Sequence, residues 1–344
     1  MIRPEFMNEI NVIYQFNEKY VPYAGVSITS LLANNEVASA VNIYVLGEGL
    51  SEDSKGLLAQ TVSKYGRNIV FPETKALLER FGEMGMIPYR GAYSVYLRMF
   101  FSELLPKAVE RALYLDADTV VDGDLLPLVN YDLKGKSIGM VLESITDGYK
   151  RMIGMNESSE YYNSGVILFD VGRWRMNRCC NKLIDHITNV RSSYIGDQDF
   201  LNIVCEGDIC RLPVIYNYQP LHERYTPEQY FSCFGQPPYY SRSEIEKAAG
   251  NVVIYHCYRW LGDFPWNKGN LHPFNDRFDK YMADSLWSGY VKTPSDAGFA
   301  VRAEKLLYRI LPRILFIRIF RKAHELFLQK AEKDARNSMP NKNS

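Results

Sequence analysis

An apolar run that ends abruptly in two carboxylates is the feature that most constrains the fold of this sequence. Residues 112–115 have the character of a buried strand, and Asp116 and Asp118 follow it directly. In open α/β sheets, ligands bind just beyond the carboxyl ends of the strands. Two carboxylates in such a place repel each other and lose hydration unless a cation lies between them. Because oxygen ligands suit Mg²⁺ and Mn²⁺, and substrate phosphates commonly complete such ions, the stretch predicts a divalent metal that holds a diphosphate.

An acidic turn after a core strand would explain the same two residues without any ligand, and the pair alone does not decide between the two interpretations. A calcium-binding EF-hand loop fits poorly, because Val120 and Val121 stand where oxygen ligands and the turn glycine are required.

Strand and helix patterns alternate before the two carboxylates. Short β-rich runs are separated by helical spacings, in the order strand 11–16, helix 20–35, strand 41–46, helix 52–64 and strand 69–71. Ser51 suits the N-cap of the second helix, and Gly66 suits its C-cap. This order predicts a parallel sheet with right-handed crossovers, and hence an α/β fold. Later strands are expected at 137–142 and 165–170, and later helices at 93–105, 178–191, 197–204 and 300–335.

Composition excludes several classes of protein. The 344 residues suffice for one large α/β domain with a tail or for two small domains, and 47% are hydrophobic, which predicts a sizeable packed core. With 40 basic and 40 acidic residues the formal charge is zero, which argues against a protein that wraps nucleic acid.

No apolar run reaches about 18 residues, so no transmembrane helix is expected. The six cysteines lack Cys-x-x-Cys spacing and no signal peptide is evident, which predicts reduced cytosolic thiols. We set residues 1–6 aside as an expected remnant of cloning, because a second methionine follows them.

Glycine-rich phosphate loops are absent from the sequence. A Rossmann dehydrogenase would need Gly-x-Gly-x-x-Gly directly after the first strand, but Asn-Glu-Lys-Tyr occupies residues 17–20 and the next glycine is Gly25. No Walker A motif is present either. A bound phosphate would therefore not lie in a glycine loop, which strengthens the prediction of a metal.

Four further segments carry polar groups next to apolar runs. They are Tyr-Tyr-Asn-Ser-Gly-Val at 161–166, Asp-Gln-Asp-Phe-Leu-Asn at 197–202, Ile-Tyr-His-Cys-Tyr at 254–258 and Gly-Asp-Phe-Pro-Trp at 262–266. Taken singly, they also fit a turn asparagine, a helix start capped by acids, a core histidine and an aromatic turn.

Taken together and in this order, these segments and Leu-Tyr-Leu-Asp-x-Asp resemble glycosyltransferase family 8 over roughly residues 11–266. That family includes retaining lipopolysaccharide galactosyl- and glucosyltransferases and glycogenin. The resemblance implies a GT-A fold, a Rossmann-like central mixed sheet flanked by helices, at residues 7–290, followed by a basic helical tail at 300–336. It implies retaining transfer of a hexose from a UDP-sugar to a surface glycan, glycolipid or glycoprotein, with Mn²⁺ or Mg²⁺.

The resemblance also assigns residues to the site. Asp116, Asp118 and His256 match the metal ligands, and such a mixed oxygen and nitrogen set suits Mn²⁺. The implied donor-binding residues are Tyr14, Asn17, Tyr20, Arg98, Asp116, Ala117 and Lys268. The implied residues at the reacting sugar and the acceptor are Asn163, Asp197, Gln198 and Glu143. An amide is a poor nucleophile, so we favour front-face attack, in which the departing diphosphate takes the acceptor's proton and Gln198 stabilises positive charge.

Two positions depart from the family pattern. Asn17 stands where relatives usually carry aspartate, which alters the expected contacts to uracil and ribose. Phe264 stands where relatives often carry a lysine that reaches the diphosphate, and either Lys268 or Arg259 could supply that charge.

The C-terminal segment is basic and broadly apolar. Residues 302–336 contain ten Lys and Arg against four Asp and Glu, and Pro312 is expected to kink or restart the helix. The pattern suits an interfacial helix on an anionic membrane, which predicts a cytoplasmic protein attached peripherally to the inner face of the cell membrane. A helix packed on its own domain is the alternative.

Two other functions remain open at this point. A sugar-nucleotide hydrolase or nucleotidyltransferase could use the same metal and diphosphate site, and a non-catalytic protein could bind the nucleotide sugar with a decayed site.

Overall fold

The computed structural model describes residues 7–86, 88, 92–189, 196–234 and 239–338. Its strands are β1 (Glu9–Asn17), β2 (Ala40–Glu48), β3 (Asn68–Val70), β4 (Arg111–Leu115), β5 (Thr119–Val121), β6 (Ile138–Leu142), β7 (Tyr162–Asp170), β8 (Ile209–Arg211) and β9 (Ile254–His256). Seven of them form a central sheet in the order β3-β2-β1-β4-β7-β6-β8, and β5 pairs with β9 in a separate small sheet.

The described residues also form α-helices, which flank the central sheet. They are α1 (Val21–Ala33), α2 (Glu52–Ser63), α3 (Lys75–Glu83), α4 (Phe101–Leu104), α5 (Leu126–Val129), α6 (Asp147–Met152), α7 (Val171–Met176), α8 (Cys179–Asn189), α9 (Asp197–Val204), α10 (Pro220–Arg224), α11 (Pro227–Phe234), α12 (Arg242–Ala248), α13 (Asn275–Asp284), α14 (Phe299–Ile310) and α15 (Arg313–Ser338). Short 3₁₀ helices occupy Glu18–Tyr20, Ser94–Met99 and Val214–Tyr216.

The first half of the sheet is parallel, as the alternating pattern predicts. Strand β1 lies between β2 and β4 and runs parallel to both, and β2 runs parallel to β3. The side chain of Ser51 accepts a hydrogen bond from Ser54 N at the start of α2, and Gly66 has a left-handed φ of 64° after it, so both caps are confirmed. Strand β7 then runs antiparallel to β4 and to β6, which makes the sheet mixed.

The small sheet determines where the late histidine lies. Strands β5 and β9 are antiparallel, and their register places Thr119 opposite His256. The backbone N–H of Cys257 donates to the carbonyl of Asp118 at 2.7 Å, which extends this pairing to the two-carboxylate turn. Residues far apart in the chain therefore meet just beyond the carboxyl end of β4.

Two predicted helices differ from those observed. Residues 93–105 form the 3₁₀ helix Ser94–Met99 and the short α4 instead of one continuous α-helix. Nearly every side chain from Tyr96 to Phe101 is buried, so packing on all sides overrides the local helical spacing. Helix α8 begins at Cys179, because Arg178 has a left-handed φ of 51° that cannot start a helix. Residues 190–195, and with them the predicted end at Arg191, lie outside the described residues.

The C-terminal helices pack one side against the rest of the chain. Tyr308, Phe316 and Ile317 are buried in a cluster with Trp260, and Lys305 forms an ion pair with the fully buried Asp263. The predicted break at Pro312 is confirmed, since it separates α14 from α15. The other side exposes large apolar side chains, namely Phe299, Leu306, Ile310, Ile314, Leu315, Ile319 and Leu326. Across the described ranges, none of the helices has both the length and the apolar character that crossing a bilayer requires.

Candidate active site

Asp116, Asp118 and His256 converge at the end of β4, and we call them the Asp-Asp-His cluster. One ligand atom from each lies within 4.8 Å of the others. His256 Nε2 is 3.4 Å from Asp118 Oδ1 and 3.6 Å from Asp116 Oδ2, which is longer than a hydrogen bond. Atoms that share one ion at about 2.1 Å stand roughly 3 to 4 Å apart, so the two distances from His256 fit Mn²⁺ or Mg²⁺.

Charge and packing at His256 agree with a cation site. Burial opposes a proton on the ring, but Asp118, Asp116 and Glu143 outweigh it and raise the pKa of His256 above its ordinary value. The ring lies directly on Gly165, where an added Cβ would sit 2.1 Å from His256 Cε1. The glycine of the Asn-Ser-Gly motif is therefore required by the histidine that faces it.

Arg98 joins the metal side of the site to α9. Its guanidinium lies 3.0 Å from Asp116 Oδ1 and 3.0 Å from Asp197 Oδ2, and it stacks over Tyr114 at 4.6 Å. Burial opposes the charge on Arg98, but the two aspartates outweigh this and raise its pKa further. The pKa of Asp197 is raised, chiefly by burial, and Arg98 offsets part of that rise. Gln15 on β1, which the sequence did not single out, accepts a further hydrogen bond from Arg98 at 3.3 Å.

Glu143, Asn163 and Gln198 form a second group, the amide–carboxylate cluster. Glu143 Oε2 accepts from Gln198 Nε2 at 2.7 Å and from Asn163 Nδ2 at 3.0 Å. The carbonyl oxygen of Gln198 accepts from Ser164 N at 2.9 Å. The pKa of Glu143 is raised, chiefly by burial, although both amides favour its charged form. The amides thus hold a single carboxylate in a fixed orientation.

Asp199 supports this cluster from the first turn of α9. Its carboxylate accepts from Tyr161 Oη at 2.6 Å, from Tyr149 Oη at 3.1 Å and from Gly196 N at 3.1 Å. Tyr161 Oη in turn lies 3.2 Å from Gln198 Nε2. The alternative interpretation of this segment, a helix start capped by acids, is confirmed for Asp199. The sequence assigned no role to either tyrosine, although Tyr161 lies in the segment 161–166.

The remaining predicted donor-binding residues differ in burial, since two are buried, one is half-buried and two are exposed. Ala117 is buried between the two carboxylates, Asn17 is exposed at the end of β1, and half-buried Tyr20 packs edge-on against Trp266 at 6.3 Å. The placement of Tyr14 at the nucleotide was wrong: it is fully buried, and its hydroxyl lies 3.0 Å from Ser27 Oγ beneath α1. Lys268 is exposed, and its backbone N–H donates to the carbonyl of Thr293 at 2.7 Å.

This geometry places the chain among α/β enzymes that bind their ligand at the carboxyl ends of the strands. A model of the family described as glycosyl transferase family 8 matches residues 11–268. The chain therefore belongs to glycosyl transferase family 8 and is a glycosyltransferase with the GT-A fold.

Individual relatives and a solved structure are similar to this chain over most of its length. General stress protein A of Bacillus subtilis is 24% identical over 283 residues, which cover 81% of this chain and 95% of that protein. Lipopolysaccharide 1,2-glucosyltransferase of Escherichia coli is 26% identical over 215 residues, which cover 60% of this chain and 62% of that protein. A crystal structure of the galactosyltransferase LgtC in complex with donor and acceptor sugar analogues has a TM-score of 0.63 and 22% identity, covering 81% of this chain and 99% of that one.

Proposed function

We propose that this glycosyltransferase moves glucose or galactose from a UDP-sugar to a surface glycan, glycolipid or glycoprotein, with retention and with Mn²⁺ or Mg²⁺. The observation that carries the proposal is the convergence of the Asp-Asp-His cluster, Arg98 and the amide–carboxylate cluster at one edge of the sheet. Asp116, Asp118 and His256 would hold the ion, which supplies neutralising charge for the diphosphate leaving group.

Arg98 and Asp197 are the groups suited to orient the donor. The planar guanidinium presents several N–H donors, which match phosphate oxygens or sugar hydroxyls. Asp197 contacts the Nε edge of the guanidinium and keeps it fixed, so that Arg98 approaches the donor from a defined direction. The two residues together would hold the hexose beside the diphosphate.

Retention follows from attack on the face that the diphosphate leaves. The acceptor hydroxyl forms the new bond to the anomeric carbon while the bond to the diphosphate breaks, and its proton passes to the departing diphosphate oxygen. Glu143 is the charged group of the amide–carboxylate cluster, so its carboxylate stabilises positive charge at the sugar. Gln198 turns its N–H toward Glu143 and keeps that carboxylate in place.

Arg259, rather than Lys268, is the residue we assign to the diphosphate in place of the family's lysine. Its guanidinium lies 5.0 Å from the ring of Phe264, the residue that replaces the lysine. Burial raises the pKa of Tyr20 most, and Asp118 raises it further, whereas Arg259 lowers it. Asp118 and Arg259 therefore both act on Tyr20, which lies between the proposed metal ligands and this guanidinium in electrostatic terms. Asp296 pairs with Arg259 at 2.9 Å and would hold it until a donor binds.

The exposed side of α14 and α15 is the surface we assign to an anionic membrane. Its apolar side chains are flanked by the basic excess of the segment, and this combination favours the headgroup region of a bilayer. The buried side of the same helices packs on the domain through Tyr308 and Phe316. The two alternatives for the tail are therefore compatible, because each uses a different side. This surface would keep the enzyme at the inner face of the cell membrane, beside a membrane-borne acceptor.

A thermal-shift panel of nucleotide sugars, with Mn²⁺, with Mg²⁺ and with a chelator, tests the donor and the metal. A ligand that binds only the folded state raises its stability by mass action. We expect UDP-hexoses to stabilise the protein only when metal is present, and UDP release to depend on an added acceptor. Release without acceptor would indicate a hydrolase, transfer of the nucleotidyl group a nucleotidyltransferase, and binding without turnover a non-catalytic protein. Each of these results would contradict the proposal.

A further inference from the structure

A chain of buried amides connects His256 to Glu143. It passes through Asn217, which is fully buried, and through Asn163, which is nearly so. Asn217 follows the 3₁₀ helix Val214–Tyr216, and neither the sequence patterns nor the family resemblance drew attention to it. Its side chain lies 3.0 Å from His256 Nδ1 on one side and 2.8 Å from Asn163 Oδ1 on the other.

The orientation of each amide follows from groups whose roles are fixed. The backbone N–H of Gly165 can only donate, so the atom of Asn163 that lies 2.9 Å from it is the carbonyl Oδ1. This leaves Asn163 Nδ2 to donate to the carboxylate of Glu143, which is an acceptor, at 3.0 Å. Both ends of Asn163 therefore require the same orientation.

The orientation of Asn163 then determines that of Asn217 and the tautomer of His256. Because Asn163 Oδ1 is an acceptor, Asn217 must direct its Nδ2 toward it. The carbonyl Oδ1 of Asn217 then faces His256, so His256 Nδ1 carries the proton and donates it. With Nδ1 as the donor, the imidazole would offer a metal ion the lone pair of Nε2, the nitrogen that faces Asp116 and Asp118.

We propose that Asn217 is a positioning residue that fixes His256 as an Nε2 ligand and ties it to the carboxylate of Glu143. A metal-ligating histidine is commonly oriented by a hydrogen bond from its other nitrogen. Here Asn217 orients His256 and also bonds to Asn163. One side chain therefore fixes the position of the proposed metal ligand relative to the residues at the sugar. The inference rests on the proposed function, since it assigns a role toward the metal and the hexose of that reaction.

Two substitutions separate the two halves of this role. Asn217→Asp keeps an acceptor for His256 Nδ1 but loses the N–H that Asn163 Oδ1 accepts. Asn217→Ala removes both bonds. Asn35→Ala is the matched control, because Asn35 is equally buried and its side chain bonds to Leu31, Gly123 and Leu125, away from the site.

Metal affinity and the histidine tautomer are the measurements. We expect Asn217→Ala to weaken Mn²⁺ binding in the presence of UDP, measured by calorimetry, by about tenfold to a hundredfold. Asn217→Asp should keep the affinity within about threefold and yet lose turnover, because the link to Asn163 is broken. In ¹⁵N spectra recorded with Mg²⁺ and UDP, wild-type His256 should show Nδ1–H, and Asn217→Ala should lose that preference. Asn35→Ala should change neither quantity.

The outcomes distinguish this role from the proposed function. If the Asn217→Ala variant bound Mn²⁺ like the wild type and kept the Nδ1–H signal, the role of Asn217 would be overturned. The proposed function would not be affected by that result. A wild-type protein that binds no Mn²⁺ with UDP would overturn both. Equal losses in Asn217→Ala and Asn35→Ala would show a general effect of removing a buried asparagine, and would likewise overturn the assignment.

Discussion

The two clusters of the site differ in how closely their own members contact one another. In the Asp-Asp-His cluster, the imidazole and the carboxylates stand 3.4 to 3.6 Å apart, too far for good hydrogen bonds. In the amide–carboxylate cluster, Glu143 accepts two hydrogen bonds of 2.7 and 3.0 Å. The first cluster has the spacing that a bound ion completes, whereas the second is already arranged. We thus assign metal binding to the Asp-Asp-His cluster and the orientation of the reacting groups to the amide–carboxylate cluster. Substitutions in one cluster should therefore differ in effect from substitutions in the other.

Asp118→Asn should have the largest effect on turnover. The substitution removes one charged ligand of the proposed ion, whose contribution to the transition state is several kcal/mol, so turnover should fall by on the order of a thousandfold. Metal-dependent binding of UDP, followed by calorimetry, should be lost with it. The melting temperature should not fall, because one of two repelling carboxylates is neutralised. Asp53→Asn, at an exposed position in α2, should behave like the wild type; full-affinity UDP binding by Asp118→Asn would disprove the metal assignment.

Gln198→Ala should come next, since it breaks the second cluster and leaves the first intact. Turnover should fall about a hundredfold, the usual order for losing one preorganised group, because Glu143 is no longer held where it acts on the developing charge. The KM for the donor should stay within about threefold, because the role is at the transition state. Gln229→Ala, in α11, removes an amide outside the site and serves as control. A larger change in KM than in kcat would place Gln198 at ground-state donor binding instead.

Glu143→Gln should lower turnover to a similar extent and stabilise the fold. The pKa of Glu143 is raised above its ordinary 4.5, chiefly by burial, so the folded state binds its proton more tightly than the unfolded state. As the pH rises through that range, the carboxylate ionises at a cost to the folded state. The variant should therefore melt at a higher temperature than the wild type at pH 7, and the gain should vanish below the ordinary pKa of glutamate. Scanning calorimetry across this range checks the sign, with the exposed Glu160→Gln as control; a destabilised variant at pH 7 would be the contrary result.

The sequence predicted the parallel half of the sheet because its signals are local. Strand runs and caps such as Ser51 and Gly66 lie close together in the chain and specify each crossover unit. Tyr14 is a residue that such local signals could not place. Strand β1 is buried on both faces, so its apolar run does not reveal which side chains face the ligand. The helix predicted at 93–105 failed for a related reason, since burial on all sides overrode its spacing.

The candidate site was predictable only where a motif marks it. Asp116 and Asp118 follow an apolar strand, and that position makes a metal site one of two interpretations, between which the other motifs decide. His256 came only from the family resemblance, because it reaches them through the pairing of β5 with β9, which no local pattern specifies. Asn217 was missed entirely, and Tyr161 was given no role although it lies in a segment that the sequence singled out. Each acts through a neighbour that lies far away in the sequence, so only the folded arrangement reveals it.

Arg259→Ala and Lys268→Ala compare the two candidate cations at the diphosphate. Loss of Arg259 should raise the KM for the donor about tenfold and should affect kcat less. A tenfold rise is the size of effect expected when a partly exposed cation that contacts phosphate is removed. Lys268→Ala should leave both parameters near wild type, because Lys268 contacts Thr293 through its backbone, whereas the guanidinium of Arg259 lies against Phe264. Initial rates across a range of donor concentrations decide the matter. The reverse ranking of the two variants would assign the charge to Lys268.

The tail should have the smallest effect on catalysis, because its exposed face is distinct from both clusters. Ile310 and Ile314 are each 63% exposed, and replacing both by serine should weaken co-sedimentation with anionic vesicles. Each isoleucine contributes on the order of 1 kcal/mol of burial, and the exposed basic residues of the segment contribute the salt-sensitive remainder. These substitutions are preferable to deleting the tail, because Phe316 and Ile317 pack in the domain and their removal would expose Trp260.

Turnover of the Ile310→Ser, Ile314→Ser variant on a water-soluble acceptor should equal that of the wild type, and only a membrane-borne acceptor should reveal a loss. Val37→Ser with Val291→Ser is the matched control, since both valines are exposed and lie outside the tail. Raised salt should weaken the attachment of the wild type without abolishing it, because screening acts on the charges and leaves the apolar contribution. Equal pelleting of the tail variant, the control and the wild type would mean that α14 and α15 serve only as packed helices.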